Sequence, residues 1–383
     1  MQPLGVALIG HAFMGRVHSQ AWHTVGRAFR LPRPVERTVL AGTDSMRTQE
    51  AADRLGWGRA TSSWQEAVAA DDVHIVDICT PGDSHAEIAV AALAAGKHVL
   101  CEKPLATTVE GAETMARAAR RARSRGIVAM TGFTYRRVPA LALARRLVED
   151  GRLGDIRHFR ARYLQDWLLD PGTPHSWRLD RTRAGAGALG DIGSHIVDLG
   201  QYLLGDRLDG VSAQLTTFVD QRPLAGGTGR GEVTVDDAAI FTGRFGSGAL
   251  ATFEATRFAT GRKNAIQLEI SGTRGALAFD LEALNELHFY DATERQATAG
   301  FRRILVTEPE HPYLTGWWPP GHGLGYEHAF THQVYDLLTA IDTGTDPSPG
   351  FETGLDVQRV IAAVEASAAR AGTYVRIDRE VNR

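Results

Sequence analysis

Four short apolar runs in the first third of the chain, each stopped by a sharp break, restrict its fold more than any other feature. Gly5–Ile9 stops at Gly10-His11-Ala12-Phe13-Met14-Gly15, and Arg37–Thr43 stops at Asp44. His74–Thr80 runs into Pro81-Gly82-Asp83-Ser84-His85, and His98–Cys101 into Glu102-Lys103-Pro104. Apolar runs this short read as strands buried on both faces. Between them lie segments of helical character: Arg16–Arg27, Glu50–Gly56, Ala86–Ala95, and one reaching about Arg125 behind a capping-box pattern of Thr107 with Glu110. Ile127–Phe133 adds a further strand. Strands and helices alternating at this rhythm imply an α/β domain, a doubly wound parallel sheet with right-handed crossovers. Ligands then lie at the carboxyl ends of the strands, where all four breaks fall.

The first break adds chemistry. Strand, glycine turn and helix in succession expose backbone N–H groups at a helix N-terminus, where a pyrophosphate is stabilised. Gly10, Ala12, Phe13 and Met14 are therefore expected against a dinucleotide in a Rossmann-type domain. Ala12 stands where the fingerprint has its second glycine, which narrows the backbone approach without closing it. Asp44, ending the second strand, would accept hydrogen bonds from the adenosine ribose and disfavour a 2′-phosphate, which favours NAD over NADP. Ser45 and Arg47 follow directly and keep NADP possible. The distance from Gly15 exceeds the usual ~20 residues; the proline-bearing insert Phe29–Glu36 accounts for the excess as a loop. Thr80, Pro81, His85, Glu102 and Lys103 complete the expected cofactor side.

After about Tyr135 the pattern changes. Pro139–Glu149 is helical, and strands of two-residue alternation follow: Ile156–Leu164, Val211–Val219, Asp237–Phe245, Ala249–Thr256, Ala265–Ser271, Ala276–Phe279 and Glu286–Tyr290. Gly246-Ser247-Gly248 and Gly272-Thr273-Arg274-Gly275 have hairpin-turn composition. This half reads as an α+β domain on an open, mostly antiparallel sheet, closed by helices over about Glu327–Thr343 and Glu352–Arg370. At 383 residues the chain is long enough for two domains, divided as residues 1–133 and 134–383.

Charge excludes some partners. The 42 basic and 45 acidic residues are interleaved and sum to −3, so no nucleic-acid or acidic-membrane surface is expected. No apolar run approaches the roughly 20 residues of a membrane span, and the N-terminus lacks the apolar core of a signal peptide. Cys79 and Cys101, both in apolar runs, make no disulfide framework or metal-ligand spacing, and His175, His322 and His328 make none either. A cytoplasmic protein without a metal is the expectation.

Gly185–Asp198 holds the densest chemistry in the second half. A glycine-rich approach reaches Asp191, and His195 follows four residues later. If helical from about Gly190, the two point off one face, where an acid and an imidazole can share a proton with a substrate hydroxyl. Lys103, held out of a helix by Pro104, places an ammonium at the cofactor edge.

A glycine turn, Glu102-Lys103-Pro104, a Tyr-Arg-Arg segment and Gly190-Asp191-Ile192-Gly193-Ser194-His195 occur in one order that resembles the Gfo/Idh/MocA family of oxidoreductases over nearly the whole chain. Within it, Tyr163–Trp167, Gly187–Asp191, Glu254–Arg257 and Gly323–Tyr326 are similar to the levoglucosan-type dehydrogenases, which oxidise a sugar at C3. Gly193-Ser194 departs from the Ala-Thr expected there, so the exact substrate stays open. The resemblance implies a catalytic set of Lys103, Asp191 and His195, an NAD(P) cofactor, and pairing into homodimers or homotetramers. In that scheme His195 accepts the hydroxyl proton, Lys103 polarises the oxygen, and Asp191 orients the substrate or balances Lys103. Tyr135, Arg136, Gln165 and Trp167 are expected on the substrate, a sugar or cyclitol. The rival expectations are a cyclitol dehydrogenase of the inositol type, an enzyme that keeps its NAD bound throughout, and a non-catalytic regulator binding NAD and sugar.

Overall fold

The computed structural model describes residues 3–378. In chain order the first elements are β1 (Leu4–Ile9), α1 (Phe13–Ala28), β2 (Val35–Ala41), α2 (Ser45–Leu55), β3 (Arg59–Thr61), α3 (Trp64–Ala69), β4 (Ile75–Ile78), α4 (His85–Ala94), β5 (His98–Cys101), α5 (Val109–Arg123) and β6 (Ala129–Thr131). Next come α6 (Pro139–Glu149), β7 (Ile156–Leu164), α7 (Arg181–Ala184), α8 (Ser194–Leu204), β8 (Leu208–Thr216), β9 (Gln221–Pro223), β10 (Arg230–Glu232), β11 (Ala238–Phe245) and β12 (Leu250–Thr256). The last are β13 (Ala265–Gly272), β14 (Gly275–Asp280), β15 (Glu286–Asp291), β16 (Arg302–Leu305), α9 (His328–Thr343), α10 (Phe351–Ala368) and β17 (Val375–Arg376).

The chain forms two compact units, Met1–Arg137 with Gly325–Leu355, and Val138–Leu324 with Asp356–Arg383. In the first, six parallel strands lie in the order β3-β2-β1-β4-β5-β6. The strand cores are Val, Ile, Leu and Ala with almost no exposed surface, because helices cover both faces. Two buried cysteines, Cys79 and Cys101, belong to this interior. The expected capping residue is displaced by one: the Thr108 hydroxyl, not that of Thr107, accepts from the Gly111 N–H at the start of α5.

Gly325–Leu355, which the sequence pattern assigns to the second half, packs in the first unit. The Phe29 ring, just past the end of α1, stacks on Tyr335 of α9 at 4.3 Å, and the backbone of Gly350 bridges to Met130 at the edge strand β6. His332 on α9 is buried against the Arg137 carbonyl oxygen at 2.9 Å, and burial lowers its pKa to about 3.

The second unit carries a nine-stranded sheet, β16-β15-β14-β13-β7-β12-β11-β8-β17. Only β7 and β12 pair in parallel; the other neighbours are antiparallel. Both expected hairpin turns are present, between β11 and β12 and between β13 and β14. The first strand after the helical segment runs Leu208–Thr216, three residues earlier than the alternation suggests. One face buries Phe159, Phe241, Phe245 and Phe253, with Phe241 and Phe253 stacked at 4.6 Å. The other carries exposed Ile240 and Leu250 among charged and polar side chains of β7, β12 and β13.

Candidate active site

In the first unit the carboxyl ends of β1, β4 and β5 gather most of the expected cofactor residues. Gly10 has φ of +95°, and a Cβ there would lie 2.7 Å from the Cys79 carbonyl oxygen. A Cβ on Gly15 would lie 2.1 Å from the Gly10 carbonyl oxygen. The turn therefore closes tightly only with glycine at both places. Ala12 is accommodated because it is the N-cap of α1 in extended backbone, and no side chain caps that helix end. The first-turn N–H groups are thus the kind of cradle an anion fills. Asp44 caps α2 by accepting the Arg47 N–H at 3.1 Å, and Arg47 Nε lies 3.6 Å from its carboxylate.

His85 is buried, with ring nitrogens 2.9 Å from the Thr80 carbonyl oxygen and 3.0 Å from that of Pro104. The ring thus sits between the Thr80-Pro81 and Lys103-Pro104 breaks, and burial lowers its pKa, so its single N–H donates to one of the two carbonyl oxygens. Tyr135 is also buried, with its ring 6.4 Å from Tyr326, whose hydroxyl is held protonated by burial and by the neighbouring Tyr135 and Glu102. Tyr326 lies in turn 6.5 Å from the exposed ring of Phe13. Arg136 is buried and donates to Ser348 Oγ at 3.4 Å.

The second unit assembles the acid and the imidazole. Asp236 accepts the backbone N–H groups of Gly187 at 2.7 Å and Leu189 at 2.8 Å. A Cβ on Gly187 would sit 1.8 Å from the Asp236 carbonyl oxygen, so only glycine lets the approach close up. The chain then enters a π-helical turn, Leu189–Gly193, before α8. The expected plain helix is therefore widened where Asp191 sits, a distortion frequent at functional sites. Apolar Ile196, Val197, Leu199 and Leu203 bury α8, and left-handed Gly205 ends it.

Around this turn lie the expected substrate residues of the second unit, Gln165 and Trp167 with Asp191 and His195, whereas Tyr135 and Arg136 belong to the first unit. Trp167 Nε1 donates to Gln165 Oε1 at 2.9 Å, and Gln165 Nε2 donates to Asn264 Oδ1 at 2.8 Å. The Tyr163 hydroxyl donates to the same oxygen at 2.7 Å, and the Tyr163 ring lies 5.9 Å from that of His195. Fully buried Arg257 brings Nη1 to 3.8 Å from Asp191, with its guanidinium 5.6 Å from the Trp167 ring centre. On its other side Nη2 donates to the Asp236 carbonyl oxygen at 3.0 Å. Trp167 is 42% exposed, which argues against plain core packing. Asn264 joins this cluster without having been named from the sequence, and Tyr163 and Arg257 were named only as ends of similar segments, with no role assigned. The signal for Arg257 lay in Glu254–Arg257, and Asn264 follows from register, since its neighbour Ala265 pairs with Leu164.

Gly187→Ala is expected to destabilise the protein by about 3 kcal/mol through overpacking, with a matching fall in urea midpoint. A midpoint within error of wild type would contradict the Asp236 clamp.

A parallel nucleotide-binding sheet, in a chain that also carries a helix presenting an acid and an imidazole, defines a dinucleotide-dependent oxidoreductase. Residues 4–130 match the oxidoreductase family with an NAD-binding Rossmann fold, and residues 141–278 match the GFO/IDH/MocA C-terminal domain. The chain belongs to the Gfo/Idh/MocA family of oxidoreductases. It is 42% identical to the levoglucosan dehydrogenase of Pseudarthrobacter phenanthrenivorans, over 97% of each chain. Among solved structures, an oxidoreductase domain protein from Kribbella flavida is 61% identical at a TM-score of 0.97, covering 99% of this chain and all (100%) of that one. A levoglucosan dehydrogenase in complex with NADH and levoglucosan is 42% identical at a TM-score of 0.94, again over 99% and 100%.

Proposed function

We propose that the protein is an NAD-dependent dehydrogenase that oxidises a ring hydroxyl, at C3, of levoglucosan or a related pyranose. The observation that carries this reading is the second unit's cluster: an acid and an imidazole one turn apart, beside an exposed tryptophan and a glutamine. An aromatic face takes sugar C–H groups, while Gln165 and Asp191 take hydroxyls. The relative from Pseudarthrobacter supports the substrate class.

NAD suits the first unit, because the Gly10–Gly15 turn and the uncapped start of α1 form a cradle that side chains would fill. Gly10, Ala12, Phe13 and Met14 would hold its pyrophosphate, and Asp44 its ribose. Bound NAD supplies the hydride acceptor. The chain's own part is proton chemistry and orientation. His195 takes the proton of the substrate hydroxyl, since an alcohol gives up its hydride readily only as oxygen loses its proton. Lys103 stabilises the negative charge developing on that oxygen. Asp191, backed by Arg257, fixes a neighbouring hydroxyl.

Incubation with NAD and levoglucosan, glucose or myo-inositol, following NADH absorbance, tests the reading. Turnover confined to the cyclitol would replace it with the inositol-type activity. Product without free NADH would show a cofactor retained through the cycle, and binding without product would show a regulator. Asp44→Ala is expected to raise the Kd for NAD about tenfold, the effect of about 1.4 kcal/mol, and to narrow the preference over NADP. An unaltered cofactor ratio would remove Asp44 from this role. Pairing through the open face of the nine-stranded sheet, with its exposed Ile240 and Leu250, into dimers or tetramers completes the proposal; sedimentation velocity reads it directly.

A further inference from the structure

The first unit contains a buried charged cluster that the reaction scheme above does not use. His18 on α1 is 1% exposed, and both its ring nitrogens meet carboxylates. Nδ1 lies 3.0 and 2.9 Å from the two oxygens of Asp77 on β4, and Nε2 lies 3.1 Å from Oε1 of Glu102. Asp77 is completely buried and Glu102 is 4% exposed. The Trp22 indole N–H donates to Asp77 at 2.7 Å, and the Cys79 thiol lies 3.8 Å from its other oxygen. Glu102 Oε2 accepts the backbone N–H of Lys103 at 3.3 Å.

Proton counting constrains this arrangement. A neutral imidazole carries one N–H, so it could donate to only one of the two carboxylates. Its second nitrogen would then present a lone pair to an oxygen in a dry interior, a costly contact. Each carboxyl group also accepts a further hydrogen, from Trp22 to Asp77 and from Lys103 to Glu102. An imidazolium donates from both ring nitrogens and so meets both carboxylates at once, with no proton needed on Glu102 Oε1. Burial alone would lower the His18 pKa, but the Asp77 carboxylate raises it well above the ordinary histidine range. His18, Asp77 and Cys79 also come within metal-ligand distance of one another. That grouping arises in space, although the sequence shows no metal-ligand spacing. The donors on Asp77 and Glu102 already account for it without an ion.

We propose that His18 is a positioning residue, a buried imidazolium that pins the Glu102 side chain and so fixes the backbone that presents Lys103. The helix that begins at the glycine turn is thereby tied to the strand end that carries the polarising ammonium. This inference rests on the dehydrogenase reading for its kinetic consequence only; the protonation state of His18 is independent of it.

The test has two arms. In wild-type protein with 15N-labelled histidine, the His18 ring is expected to show both nitrogens as N–H at pH 8, where exposed histidines are neutral. A ring with one N–H and one bare nitrogen overturns the proposal whatever the enzyme's substrate. In kinetics with NAD and levoglucosan, His18→Gln is expected to lower kcat at least tenfold, with the Kd for NAD changed less than threefold. Glu102→Gln in the His18→Gln background is expected to add less than its effect in wild type, because the two act through one contact. A wild-type kcat in His18→Gln, or fully additive losses, overturns it. Should His18→Gln fail to fold, the wild-type spectrum still decides. If the wild type turns over none of the sugars, the dehydrogenase reading fails while the spectrum still judges His18.

Discussion

Lys103→Ala is expected to reduce kcat with levoglucosan by about 10²–10³-fold, the usual cost of deleting one preorganised donor to a developing oxyanion. NAD binding, followed by quenching of protein fluorescence, should change little. The reason lies in when the ammonium acts. The substrate hydroxyl is neutral in the ground state and binds without a cation, but charge accumulates on oxygen as the hydride departs. An interaction that strengthens only then appears in kcat and leaves binding nearly untouched. Lys103→Arg should recover little, because a planar guanidinium does not place its charge at the same point. If Lys103→Ala turns over at the wild-type rate, the polarising role belongs elsewhere.

His195→Ala should cost about 10²–10⁴ in kcat/KM, the range for removal of a general base. A base works only when unprotonated, so the wild-type rate should fall as pH drops through the imidazole pKa. In the variant that acid limb should disappear and leave a shallow profile. Retention of the limb would assign it to another group and remove His195 from proton transfer. Of the two variants, only His195→Ala removes the acid limb, so the pair separates polarisation from deprotonation.

The sheet of the first unit was legible because each of its main strands is a run of branched apolar residues stopped by Gly, Asp or Pro. Such runs have few alternative folds. The second sheet was legible as alternation, although β8 began three residues earlier than expected, since Leu208 and Gly210 continue the pattern only once β11 lies beside them. The return of Gly325–Leu355 to the first unit was hidden. Its helix α9 carries an ordinary apolar stripe, and nothing in a stripe says which core it covers. Asp191 and His195 were visible because one segment holds both. Asn264, Arg257 and His18 were not, because each enters its cluster through strand register or helix packing with residues far away in the chain. His18 in particular reads as an ordinary histidine on an amphipathic helix until Asp77 and Glu102 are placed around it.

The two cysteines have a practical consequence. Cys101 has no exposed surface and Cys79 very little, and burial pushes both thiols up, far from the thiolate that alkylating agents and peroxide attack. Every sulfhydryl in the chain is thus sealed in its protonated form. Activity is therefore expected to persist without added reductant, and iodoacetamide is expected to act as a reporter of unfolding, marking molecules whose interior has opened.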